Sequence, residues 1–182
     1  MRGAVRIAGA ILLVAYPIAI WAGISVAGSR VAGLIVLAAL AIIVPLRIRS
    51  GSRELLGSGI ALAVLVLLSI LLNDQRLLLA MPVLVNITLL VGFGTSLLGD
   101  RMPVVERFAR MADENLSPRR ALYCRRVTKV WCLFFLINAA VSLWLALYAS
   151  LAAWGLYTGG IGYLLMGVLF AGEYAIRKIR FG

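Results

Sequence analysis

Residues 100–138 read DRMPVVERFARMADENLSPRRALYCRRVTKVWCLFFLIN. This is the one long polar interruption in an apolar chain, so its reading decides the fold. It holds eight basic residues, Arg101, Arg107, Arg110, Arg119, Arg120, Arg125, Arg126 and Lys129. Ser117 followed by Pro118 is a helix start, cap then first position. No breaker follows until well past Asn138. The pattern predicts a helix that begins in the cytoplasm at Pro118 and runs straight into the bilayer, with 130–148 as its buried part. Upstream, Pro103 follows Asp100, and Val104, Val105, Phe108 and Met111 fall on one helical face. Glu106 and Arg110 form an i,i+4 pair on the other side. A short amphipathic helix on the membrane surface is expected there, followed by a turn at Asp113-Glu114-Asn115.

The composition outside this segment explains why it stands out. The chain has 182 residues, 63% of them hydrophobic and 14% charged, and its mean hydropathy is +1.04. Soluble domains carry roughly a quarter charged residues. Lipid must therefore be the solvent of this chain. The net charge of +11 reads first through the positive-inside rule, and no nucleic-acid partner is implied.

Apolar runs of membrane-crossing length fall at about 7–26, 31–46, 55–72, 77–98, 130–148 and 156–174. Tyr16-Pro17 predicts a kink in the first. Ser25-Val26-Ala27 resembles a signal-cleavage site, but the apolar region is longer than a usual signal and Trp21 sits near its end, which favours a retained helix. Ala27-Gly28-Ser29-Arg30 is a tight loop, and Arg47, Arg49 and Arg53 mark a basic one. Asn73-Asp74-Gln75-Arg76 suits a helical hairpin. Pro82 lies in the first turns of the fourth span. Ala149 to Gly155 reads as a short apolar link, with Trp154 as an interface anchor. With the N-terminus inside, the inner segments hold two, three, eight and three basic residues. The outer loops hold Arg30 and Arg76. That asymmetry places both termini in the cytoplasm. The expected architecture is an all-α, polytopic membrane helix bundle of about six transmembrane helices, one integral membrane domain over 1–182 with a cytoplasmic basic loop at 100–129. No internal repeat points to inverted halves.

The chain has no His, so the commonest general base and metal ligand are missing. Cys124 and Cys132 have no metal-motif spacing and are expected as free thiols. No metal or cofactor is expected. Arg119, Tyr123 and Arg126 share a face at i, i+4 and i+7, with Arg107, Arg110, Arg120, Arg125 and Lys129 near in sequence. Guanidinium forks suit phosphate, so this set could hold a lipid head or an acidic partner. The plainer reading is orientation plus attraction to anionic lipid, about 1 kcal/mol per basic residue. Within the segment after Asp100, the acids are Glu106, Asp113 and Glu114, and a helix-surface salt bridge accounts for them better than a metal site. Inside the membrane, Asn86 and Asn138 sit mid-span. An interhelical hydrogen bond is the expected use, a polar pocket the alternative. Glu173 stands four residues before Arg177, and an i,i+4 ion pair explains it. Gly155 and Gly159 form a small-xxx-small pair in a glycine-marked sixth span that also holds Gly160, Gly162, Gly167 and Gly172.

The order of these features resembles a group of uncharacterised bacterial inner-membrane proteins encoded beside fatty-acid or aryl-polyene type synthesis genes. More distantly it is similar to the intracellular septation protein A family. The likeness rests on paired short spans, the Asn73-Asp74 turn, Pro103 to Arg110, and Thr128-Lys129-Val130-Trp131 through Phe134-Phe135 to Asn138. The basic loop is Arg-rich where septation proteins tend towards Lys. The resemblance implies the bacterial inner (cytoplasmic) membrane and carries over no catalytic residue. The expected function is non-catalytic support of cell-envelope or lipid biogenesis, with the basic loop contacting anionic membrane lipid or an envelope or lipid-synthesis protein. A small lipid-modifying enzyme or acyl-chain handler is one alternative. A transporter of a lipid-like product is another.

Overall fold

A computed structural model describes residues 74–181, together with residues 21, 22, 24, 31, 34, 64, 66–68 and 70–72. The readings placed on 1–20, and nearly all of those on 25–63, lie outside the described residues. Among the described residues every regular element is helical. The elements are α1 (Gln75–Leu79), α2 (Met81–Thr95), α3 (Val104–Ala112), α4 (Pro118–Tyr148), α5 (Leu151–Leu156), a π-turn at Tyr157–Ile161, and α6 (Gly162–Phe181).

Three helical stretches are long and apolar enough to cross a membrane: Arg76–Thr95, Pro118–Tyr148 and Leu151–Phe181. The second is the single helix expected from Ser117-Pro118. Its 31 residues give about 46 Å of length, against a hydrocarbon core of about 30 Å. The basic first turns therefore project beyond the apolar slab. Ser117 has the extended backbone of an N-cap, but its hydroxyl makes no capping bond.

Several boundaries differ from the expectations. The polar turn before α1 is tighter than four residues. Asp74 caps the helix by accepting from the Arg76 amide at 2.9 Å, and Gln75 and Arg76 are already helical. The fourth span ends at Thr95 rather than at 98, and residues 96–100 form a turn that contains Gly99 at φ +57°. The expected link at 149–155 shrinks to Ala149 and Ser150, because the Ser150 hydroxyl caps a new helix by accepting from the Ala153 amide at 3.2 Å. The last helical stretch thus starts at Leu151 rather than 156 and runs on to Phe181.

Trp154 is not an interface anchor. It is fully buried, and its indole N–H donates to the Leu79 carbonyl at 3.0 Å. The reason lies in Pro82, which cannot continue α1 and breaks the helix at Ala80, just before α2. Val83, which an unbroken helix would bond to Leu79, bonds instead to Ala80 at 3.1 Å. The Leu79 carbonyl is left over, and in lipid it needs a donor. Around this bond Val66, Leu78, Leu79, Met81, Leu145, Ala146 and Trp154 form one buried cluster. Gly155, next to Trp154, lets Trp21 approach. A Cβ there would lie 2.8 Å from Trp21 Cδ1.

Trp154→Phe keeps most of the ring and deletes the donor. It is expected to destabilise the chain by about 1–3 kcal/mol, the cost of a buried unpaired carbonyl. Trp154→Ala should cost about 3–5 kcal/mol. Denaturation in detergent, followed by helical circular dichroism, measures both.

Candidate functional site

Near the basic ends of α4 and α6, α2, α3, α4 and α6 line an open, mainly apolar cavity of about 530 Å³. Its floor is aromatic. Trp131 and Phe135 lie one turn apart on α4, with ring centroids 5.6 Å apart. Phe93 of α2 meets Phe135 edge-on at 5.1 Å, and Phe170 of α6 meets Trp131 at 4.5 Å. Wide rings seated between the helices fill the space at this level. Short side chains above them, Ala109, Cys124 and Val127, line the open part.

The rim is charged. Arg120 and Asp113 line it as an ion pair at 2.8 Å. Arg177 and Glu173 form the second pair, at 3.2 Å, as their i,i+4 spacing implied. Tyr123 lies between, with its hydroxyl donating to the Glu173 carbonyl at 3.4 Å and its ring against Phe181 at 5.4 Å.

This geometry regroups the basic residues. Of the expected face of Arg119, Tyr123 and Arg126, Tyr123 meets the cavity and the two guanidiniums do not. Arg120, Tyr123, Cys124 and Val127 line it, and Arg119 and Arg126 are exposed. Three other guanidiniums bond to nearby chain. Arg125 donates to the Leu97 carbonyl at 2.6 Å and to that of Gly99 at 3.5 Å, which satisfies carbonyls left over where α2 ends. Arg107 donates to the Met102 carbonyl at 3.1 Å. Arg110 grips Glu106 at 2.8 Å and the Glu114 carbonyl at 3.2 Å. Arg119, Arg126 and Lys129 have no hydrogen-bond or ion-pair partner among the described residues.

Glu106 was expected on a helix surface and is in fact buried, at 9% exposure. Val105, Phe108 and Ala109 line the large cavity, Phe108 while remaining largely exposed, and Met111 points outward.

The two asparagines meet, as their mid-span positions implied. Asn138 Nδ2 donates to Asn86 Oδ1 at 3.1 Å, and Asn86 Nδ2 donates to the Pro82 carbonyl at 2.8 Å. Sequence reasoning missed the third member, Tyr157, whose hydroxyl donates to Asn138 Oδ1 at 2.8 Å. The π-turn presents it. A Cβ at Gly162 would lie 3.2 Å from the Tyr157 carbonyl and 3.7 Å from Asn138 Oδ1, so glycine keeps this approach open. These asparagines line a second, smaller cavity of about 90 Å³ with Ser142 and Thr158. Ser142 is 1% exposed, and its hydroxyl has no partner among the described residues. The space is large enough for a few waters. Leu89 and Met166 line both cavities.

Glu106, Glu173 and the asparagine pair do not converge on one cavity. Glu173 lines the large cavity, Asn86 and Asn138 line the small one, and Glu106 lines neither. Among the described residues no cluster of three or more Cys, Asp or Glu is placed to hold a metal. Both thiols are free. Compared with known proteins, the chain matches no protein-family model, no curated protein and no solved structure.

A double-mutant cycle on Asn86→Ala and Asn138→Ala should give a coupling of about 0.6–1.7 kcal/mol, the range for interhelical bonds in lipid. Asn138→Ala alone should cost more than Tyr157→Phe, since it strands both Asn86 Oδ1 and the Tyr157 hydroxyl. Unfolding in mixed micelles reads all four values.

Proposed function

We propose that this chain is a non-catalytic, multi-pass protein of the bacterial inner membrane that supports cell-envelope or lipid biogenesis by holding a lipid at the cytoplasmic leaflet. In this reading six spans place both termini in the cytoplasm. The basic segment then lies at the inner surface, where Arg119, Arg126 and Lys129 face anionic lipid or a lipid-synthesis partner. The observation that carries it is the 530 Å³ cavity, apolar along its walls and charged at its rim. That volume is in the range of small-molecule sites. An amphiphile is the chemistry that matches both parts, chain on the aromatic floor and head at the rim.

A second reading, an acyl-chain-handling enzyme, draws on one observation. The small polar cavity abuts the large one through Leu89 and Met166. Among the described residues it holds no carboxylate beside the asparagines, and its lining includes the phenol of Tyr163.

Lipid extraction from the purified chain tests the cavity. Val127→Trp fills it, and about tenfold less lipid should co-purify, a loss worth about 1.4 kcal/mol. Retention of the same lipid at the same amount would sink the proposal. The triple change Arg119→Gln, Arg126→Gln, Lys129→Gln should leave the retained lipid in place. It should also weaken attachment of the segment to anionic vesicles by about 1 kcal/mol per charge. Reporter fusions at both ends test the orientation, and both are expected to report cytoplasm.

A further inference from the structure

The rim of the large cavity carries two acids as well as two guanidiniums. Asp113 is held by Arg120 at 2.8 Å and Glu173 by Arg177 at 3.2 Å. Phe181 links the two pairs. Arg120 lies over its ring at 5.9 Å, and the ring packs on Tyr123, which reaches the Glu173 backbone. All of these residues line one cavity.

Such a rim constrains the headgroup. Each guanidinium has N–H donors beyond those on its carboxylate, so an anion can share it, but then lies against the negative charge of that carboxylate. If it displaces that carboxylate, an acid is left unpaired, and for Glu173, whose side chain is 19% exposed, that is costly. A simple cation meets the converse problem. A headgroup with both signs exchanges partners at each pair and leaves no charge alone. Its positive end must also donate hydrogen bonds, because carboxylates accept them.

Resting on the reading of this cavity as a lipid site, we propose that it takes an acyl chain of a zwitterionic phospholipid with a primary ammonium. The phosphate lies between Arg120 and Arg177, the ammonium at Asp113 and Glu173, and the chain on Trp131 and Phe170.

The test uses the unaltered full-length chain in phosphatidylcholine vesicles. Three probes with identical diazirine-bearing chains are compared: phosphatidylethanolamine, phosphatidylglycerol and phosphatidylcholine. Salt is held at about 1 M, where the Debye length is about 3 Å and surface attraction of anionic lipid is suppressed. Mass spectrometry maps the labelled residues. The ethanolamine probe is expected to label Phe93, Trp131 and Phe170 about tenfold more than either other probe, a ratio equal to about 1.4 kcal/mol. Asp113→Asn combined with Glu173→Gln should bring that ratio near unity while cavity labelling persists. Equal or stronger labelling by the glycerol probe would overturn the zwitterion and leave the cavity reading standing. Equal labelling by the choline probe, whose ammonium has no N–H, would overturn it in the same way. If no probe labels the cavity, the lipid reading itself falls. Because the headgroup comparison needs no variant, it does not depend on a variant folding.

Discussion

Pro82 leaves the Leu79 carbonyl without an amide partner, and the indole of Trp154 answers it across 75 positions of chain. In water such a gap is filled by solvent. In lipid it must be filled by protein, because no water is there to pair with the carbonyl. This one bond therefore fixes how high α5 sits against α1. The depth of the π-turn follows, and with it the position of Tyr157 at Asn138. The asparagine chain then runs from Tyr157 through Asn138 and Asn86 back to the carbonyl of Pro82. The residue that opened the gap thus anchors both ends of the polar path through the bundle.

The basic segment shows why charge counting overstates a binding face. Arg125 is spent on the carbonyls that follow α2, and Ser96 reaches across the same turn to accept from the Val104 amide at 3.1 Å. Arg110 holds buried Glu106 and the loop after α3. These contacts hold a surface helix against a membrane helix through polar groups, where apolar packing alone would let it slide. Among the described residues of the segment, Arg101, Arg119, Arg126 and Lys129 are left for a partner at the surface. Arg120 and Arg177 stand apart from both sets, at the rim of the large cavity with an acid beside each.

What was legible in the sequence was local. A run without breakers after Ser117-Pro118 reads as one helix because nothing in it can stop. Glu106 with Arg110, and Glu173 with Arg177, are one turn apart, so their pairing needs no knowledge of the fold. The asparagine pair was legible for another reason, since two amides at similar depth in lipid have few other partners. Trp154 was misread because a tryptophan near a helix start has the composition of an interface anchor. Its partner was created by a proline far upstream. The cavity was invisible because its walls come from four elements, and the rim joins Asp113 and Arg120 to a helix that begins 42 residues after Arg120, at Gly162. Glu106 pointed inward for the same reason. Phe108 meets the open cavity and Met111 the outside, so the acid was free to face the bundle.

The π-turn at Tyr157–Ile161 has a consequence beyond the side chain it presents. A π-turn holds one more residue than the α-turn it replaces, and each α-helical residue turns the chain by about 100°. The extra residue thus sets the rotational phase of everything after it. Phe170, Glu173 and Arg177 face the cavity only in that phase. A chain one residue shorter here, wound as plain α-helix, would keep the span and its apolar length. It would swing this whole row around the helix axis and out towards the lipid. Position along the membrane and direction within it are therefore specified separately in this chain, the first by Trp154 and the second by five residues just beyond it.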